Sequence, residues 1–110
     1  PVEDAARLAL ACGAQAILFN CSQPEVMEGA ISAALKEARS IAVGVYANAF
    51  PPQTKDAQAN ETLLELRADL DPAGYAAWVQ KWLTAGASIA GGCCGIGPEH
   101  IAALAALDPP

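Results

Sequence analysis

Three short apolar runs divide the chain, at residues 14–20, 41–48 and 87–92, and the third is the weakest. Each run is bounded by Gly or Asn at or near its end. Continuous apolar runs of this length, between turn-forming residues, are typical of strands buried on both faces of a parallel sheet. The pattern therefore predicts three parallel strands.

Apolar residues at spacings of three and four predict helices before, between and after these strands. The first covers about residues 2–11, Pro24 suits the first turn of the second, and the last begins at Pro98. Asp71 is the expected N-cap of the third helix and Gly86 its C-terminal stop. Residues expected to face the core are Met27, Ala30, Ile31, Ala34, Leu35 and Ala38 in the second helix, Tyr75, Trp78, Val79, Trp82 and Leu83 in the third, and Ile101, Leu104 and Ala105 in the last.

Strands that alternate with helices indicate an α/β fold built from βαβ units. Residues 50–70 interrupt the alternation and predict an exposed loop, in which residues 62–70 form either a short helix or a strand. Three strands are fewer than a (β/α)8 barrel of ~250 residues requires, and they leave two open sheet edges. We therefore expect a fragment of a longer fold, or a chain that self-associates or completes its fold with another subunit.

Composition and charge exclude several function classes. The chain has 110 residues, of which 54% are hydrophobic, so one folded domain is expected. Six Lys and Arg residues against twelve Asp and Glu residues give a net charge of −6, which argues against nucleic-acid binding. The apolar runs are too short to span a membrane, and the acidic N-terminus does not resemble a signal peptide. A cytoplasmic location is expected, where cysteines are more often thiols or metal ligands than disulfides.

Thiols lie at the ends of two predicted strands. Cys21 follows the first strand, and Cys93 and Cys94 follow the third, 72 residues later. Strand ends of a parallel sheet meet at one rim, so the three thiols can form a Zn²⁺ site with a vacant fourth position. Two alternatives stay open from the residues alone: small buried thiols that fill the core, or a strained, redox-sensitive disulfide among these cysteines.

Several other residues could in principle take part in binding or catalysis, but each has a simpler structural interpretation. Cys12 is predicted to pack against a helix and His100 to lie at a helix end or on the surface; neither is expected to bind metal. Asn20 either orients Cys21, contacts a substrate or forms a strand-end turn. Carboxylates on the outer face of the second helix are expected to be solvated, namely Glu25, Glu28 and Glu37.

The Asn20-Cys21 pair and the Gly91-Gly92-Cys93-Cys94 segment together resemble two motifs of the zinc-dependent homocysteine S-methyltransferase family. Residues 45–49 resemble a Tyr-Pro-Asn segment of the same family, with Ala47 in place of the usual proline. The resemblance implies a (β/α)8 TIM-barrel fold of which residues 1–110 are the C-terminal portion, roughly the last three βα units.

The resemblance also implies a function. Cys21, Cys93 and Cys94 would bind Zn²⁺, Asn20 and Asn48 would contact the substrate, and no separate catalytic residue is expected. The implied enzyme transfers a methyl group from a sulfonium or ammonium donor to the thiol of homocysteine, giving methionine. S-methylmethionine or S-adenosylmethionine is the expected donor. The alternative is a non-catalytic or redox-active barrel fragment with structural thiols.

Overall fold

A computed structural model describes residues 1–51 and 66–108 as a small α/β domain. The described elements alternate as the sequence predicts, and a short 3₁₀ turn precedes the third helix. Their bounds are α1 Val2–Ala11, β1 Ala16–Asn20, α2 Pro24–Glu37, β2 Ala42–Tyr46, the 3₁₀ turn Ala68–Leu70, α3 Pro72–Ala85, β3 Ile89–Ala90 and α4 Pro98–Ala105.

The three described strands form one parallel sheet in the order β1-β2-β3. Ala16 pairs with Ala42 at one end of the β1–β2 ladder and Asn20 with Tyr46 at the other. The β2–β3 ladder is shorter, since only Gly44 and Val45 find partners, in Ile89 and Ala90. The third strand is thus shorter than the predicted run at residues 87–92. A tyrosine side chain enters the gap where β2 and β3 part, as described below.

The helix ends follow the predicted signals. Pro24 and Pro72 occupy the first turns of α2 and α3, where a missing backbone N–H costs nothing. The Asp71 side chain accepts a hydrogen bond of 2.7 Å from the Gly74 amide and so caps α3. Gly86 ends α3 in the left-handed conformation, with φ 118°.

The core lies between the helices and one face of the sheet. Its largest fully buried side chains are Trp82, Tyr75, Met27, Ile31, Leu70, Val43, Val45, Val79 and Pro24. Trp78 is partly buried and stacks on Trp82, with ring centroids 6.3 Å apart. On the opposite face of the sheet Leu18 and Ile89 flank Gly44 and remain 44% and 41% exposed.

The last helix and the long loop differ from, or only partly test, what the sequence predicts. Ile101 and Ala105 were expected to face inward but are exposed, Ile101 to 46%, because the last helix packs against the core through Leu104 and the chain after it through Leu107. Of the predicted loop, residues 52–65 lie outside the described residues, and the end of residues 62–70 forms the 3₁₀ turn. In the described parts of the chain, every helix is too short or too polar to cross a membrane.

Candidate metal centre

Cys21 follows β1 directly and has an unusual backbone conformation. Its φ is 57°, the only positive φ of a non-glycine residue in the described chain. This left-handed region is sterically unfavourable for a residue with a Cβ atom, so its surroundings must stabilise it. The turn directs the thiol away from the strand and toward the segment that follows β3.

Glycines shape the loop that carries the other two thiols. A side chain at Gly92 would collide with Ile96, which folds back over the loop. Gly95 has φ 79°, and a side chain there would meet Leu66 and Ala49. The Ile96 amide donates to the Cys93 carbonyl at 3.1 Å and closes a tight turn around Cys94. The Gly-Gly-Cys-Cys-Gly segment is therefore a compact loop that a bulkier sequence could not form.

Both thiol loops are hydrogen-bonded to the chain that leaves the middle strand. On one side, the Cys21 amide donates to the Tyr46 carbonyl at 2.9 Å and the Asn48 amide donates to Ser22 at 3.1 Å. On the other side, the Cys93 amide donates to the Ala47 carbonyl at 2.9 Å. The Ala49 amide donates to the Cys94 carbonyl at the same distance. Residues 46–49 thus hold both loops through alternating backbone groups.

The three sulfur atoms converge at this rim of the sheet. The Cys21 and Cys94 Sγ atoms are 3.7 Å apart, and those of Cys93 and Cys94 are 3.9 Å apart. All three lie within 4.8 Å of one another. Sulfur ligands of a tetrahedral Zn²⁺ ion, at about 2.3 Å from the metal, are about 3.8 Å from each other. The donor set and its spacing therefore fit zinc, with three protein ligands and one further position.

The thiols lie so close together that the pKa values of Cys21 and Cys93 shift in opposite directions. The neighbouring Cys93 thiol is the main cause that lowers the pKa of Cys21. The Cys21 side chain is in turn the main cause that raises the pKa of Cys93 to about 11. In the metal-free protein the thiolate is therefore favoured on Cys21 over Cys93. Coordination to a metal ion favours the thiolate form of a cysteine ligand.

Tyr75 closes the gap between the middle strand and the Cys93 loop. Its ring comes from α3 and is fully buried. The hydroxyl accepts a hydrogen bond from the Ala47 amide at 3.1 Å and donates one to the Gly91 carbonyl at 2.7 Å. Burial raises the pKa of Tyr75 to about 12, so the hydroxyl keeps the proton that it donates. Proline at position 47 would lack the amide hydrogen that this contact uses.

The two predicted substrate residues lie at the same rim in different environments. Asn20 ends β1 with an exposed side chain. Asn48 is half-buried, and its Nδ2 donates to the Cys21 carbonyl at 2.8 Å and lies 3.8 Å from the Cys21 sulfur. Substrate contact by either residue stays a prediction.

Residues assigned elsewhere by the sequence stay outside the thiol cluster. The His100 Nδ1 accepts from the Gly97 amide at 3.1 Å and its Nε2 donates to the Leu70 carbonyl at 2.8 Å, so His100 is a helix-end residue as predicted. Cys12 caps the end of α1 and is exposed, which makes the predicted helix packing wrong. Glu28 is exposed as predicted. Glu25 is instead bound by Arg67, and the partly buried Glu37 pairs with Arg7, so neither is simply solvated.

Sequence reasoning missed the residues that support the site. Tyr75 has the spacing of a core residue, and its pattern contains no sign that the hydroxyl would bridge two backbone groups. Gln23 was not singled out, although its amide contacts Asn48. The only sequence signal for either is a polar group placed where the fold is buried or half-buried, because such groups require partners.

The fold and the site define a small parallel α/β domain with a cluster of three thiols at its strand ends, of which Cys93 is partly buried. The family described as homocysteine S-methyltransferase matches residues 1–107, and the chain belongs to this family. Comparison with curated proteins gives no match.

Replacing Tyr75 with phenylalanine should destabilise the protein by about 1–3 kcal/mol, because it leaves the Ala47 amide and the Gly91 carbonyl buried without a partner. Urea unfolding of the metal-free protein measures this change. Tyr46→Phe is the matched control, since Tyr46 is only half-buried. Equal stability of the Tyr75→Phe variant and the wild type would contradict a bridging role.

Proposed function

We propose that this chain carries the zinc site of a methyltransferase that transfers a methyl group to the thiol of homocysteine and forms methionine. One observation carries the proposal: three thiols from two separate strand ends lie within 4.8 Å of one another, and two of their three sulfur pairs are 3.7 Å and 3.9 Å apart, close to the spacing of tetrahedral zinc ligands. Membership of the homocysteine S-methyltransferase family supports it.

Cys21, Cys93 and Cys94 are the residues that would hold the ion. Zinc in such a site supplies a Lewis acid that lowers the pKa of an incoming thiol and orients it. Cys21 and Cys94 are exposed, which leaves this face of the cluster accessible to a substrate. The protein thiols stay unmethylated in this scheme, because their role is to hold the metal.

The reaction balances without an oxidant or reductant. The homocysteine thiol releases its proton to solvent, its sulfur forms a bond to the methyl carbon, and the bond from that carbon to the donor breaks. The electron pair of the broken bond stays with the donor, which leaves as a neutral thioether or amine. We place the homocysteine chain beside Asn20 and Asn48 and favour S-methylmethionine or S-adenosylmethionine as donor.

The wider architecture is also a proposal. We infer that residues 1–110 form the C-terminal portion of a (β/α)8 barrel, with further strands covering the exposed sheet face. Leu18 and Ile89 on that face support this view, because large apolar side chains on a sheet are usually covered. A cytoplasmic location and self-association of the chain stay predictions.

The intact protein should bind one zinc ion per chain, and Cys21→Ala, Cys93→Ala or Cys94→Ala should each abolish stoichiometric binding. Each substitution removes one of three ligands from an already incomplete coordination shell. Elemental analysis after dialysis measures the zinc content. Cys12→Ala is the control and should retain the full content. Zinc-free protein with a disulfide among these cysteines would support the redox alternative instead.

Zinc affinity should rise at least about tenfold per pH unit between pH 6 and pH 8. Cys93 has a pKa of about 11 in the metal-free protein, so it is protonated throughout this range and must release its proton when it binds metal. Higher pH therefore favours binding. Competition with a coloured chelator measures the affinity at each pH. A flat profile would contradict binding through the Cys93 thiolate.

With the further barrel strands proposed above, the zinc-loaded protein should form methionine from homocysteine with S-methylmethionine or S-adenosylmethionine, and more slowly with betaine. Residues 1–110 alone should bind zinc weakly and turn over poorly or not at all. Liquid chromatography with mass spectrometry detects methionine and the demethylated donor in equal amounts. Removal of zinc by a chelator should stop the reaction, and returning zinc should restore it. Zinc-loaded protein that forms no methionine with any of the three donors would refute the proposed activity.

A further inference from the structure

A chain of side-chain hydrogen bonds leads from a surface arginine to the backbone of Cys21. The Arg67 guanidinium donates to the Gln23 Oε1 at 2.9 Å. The Gln23 Nε2 donates to the Asn48 Oδ1 at 3.1 Å and to the Phe50 carbonyl at 2.8 Å. The Asn48 Nδ2 donates in turn to the Cys21 carbonyl at 2.8 Å. We call Arg67, Gln23 and Asn48 the amide relay.

Every bond of the amide relay runs in the same direction, from donor to acceptor toward Cys21. The Asn48 Oδ1 also accepts from the Phe50 amide at 3.2 Å, so rotating the Asn48 amide by half a turn would set its NH₂ group against two donors. Rotating the Gln23 amide would likewise set NH₂ against the Arg67 guanidinium. The surroundings therefore specify one orientation for both amides.

The start of the relay is itself firmly held. Glu25 binds Arg67 through two hydrogen bonds, at 2.6 Å and 3.1 Å, and Asp69 binds it through two more, at 2.6 Å and 3.0 Å. The Arg67 side chain is only 18% exposed, although both carboxylates are largely open to solvent. Paired forks of this kind fix the guanidinium plane as well as its position.

The amide relay ends at Cys21 and stabilises its backbone. Its left-handed backbone is unfavourable without support, and its carbonyl receives the last bond of the relay. The same Asn48 amide lies 3.8 Å from the Cys21 sulfur. One side chain thus contacts both the backbone that sets the direction of the thiol and the thiol itself.

We propose that Gln23 and Asn48 are positioning residues that hold Cys21 in its metal-binding geometry, and that Arg67 fixes the direction of their hydrogen bonds. This inference rests on the proposed function, since it requires Cys21 to be a metal ligand. It assigns to Asn48 a role through Cys21, in addition to the predicted substrate contact.

Binding of Co²⁺, a coloured substitute for zinc, tests the proposal in the intact protein. Asn48→Ala removes the bond to Cys21, and Gln23→Glu keeps the acceptor for Arg67 but replaces both donors with oxygen. Each variant should bind Co²⁺ roughly 10- to 100-fold more weakly than wild type. The visible bands of tetrahedral cobalt should also change, because a misplaced ligand distorts the site. A purely structural role would lower stability without changing these bands.

Gln15→Glu is the matched control for Gln23→Glu. It makes the same charge change on an exposed residue at the opposite end of β1 and should leave Co²⁺ affinity unchanged. Circular dichroism of the metal-free variants reports whether they fold. If Asn48→Ala does not fold, the Co²⁺ affinity and spectrum of Gln23→Glu test the relay. Wild-type affinity and wild-type cobalt spectra in the folded variants would overturn the relay and leave the proposed function intact. Failure of the wild type to bind Co²⁺ or Zn²⁺ would overturn both.

Discussion

Backbone hydrogen bonding by residues 46–49 is the constraint on which the site depends. Only the middle strand of a three-stranded sheet has a neighbour on each side, and its continuation carries this property beyond the regular ladder. Amides and carbonyls that alternate in direction bind the Cys21 turn on one side and the Cys93 loop on the other. The thiols are therefore positioned by main-chain geometry, which is stiffer than any arrangement of flexible side chains.

Electrostatics explains why such a cluster is suited to a cation. Among three sulfurs within 4.8 Å of one another, the pKa of Cys21 is lowered and the pKa of Cys93 is raised, chiefly by the contact between these two side chains. In the proposed function, a divalent ion held by the three thiolates would leave a site of net negative charge. An incoming sulfur at such a site would stay electron-rich, which is the property that nucleophilic attack on a methyl group requires.

Tyr75 and the amide relay connect the thiol site to the rest of the domain. Tyr75 joins the hydrophobic core to the thiol rim, since its ring packs edge-on against Trp82, at 5.7 Å, while its hydroxyl bridges Ala47 and Gly91. The amide relay connects the surface to the thiol rim, because it begins at Arg67, which Glu25 and Asp69 hold, and ends at the Cys21 carbonyl. Tyr75 comes from α3, and the relay residues Gln23, Asn48 and Arg67 come from three separate segments of the chain.

Much of this protein follows from local patterns in its sequence. Pro24, Pro72, Asp71 and Gly86 mark helix ends by their own backbone and capping preferences, and parallel strands bring residues 21 and 93 to one rim whatever the side chains between them. The left-handed turn at Cys21, the exposure of Ile101 and the orientation of the Asn48 amide depend instead on neighbours distant in the chain. Local preference opposes the turn at Cys21, helical spacing predicts the wrong side for Ile101, and neither specifies the Asn48 amide. Hydrogen bonds and packing between separate elements exist only once the tertiary structure has formed.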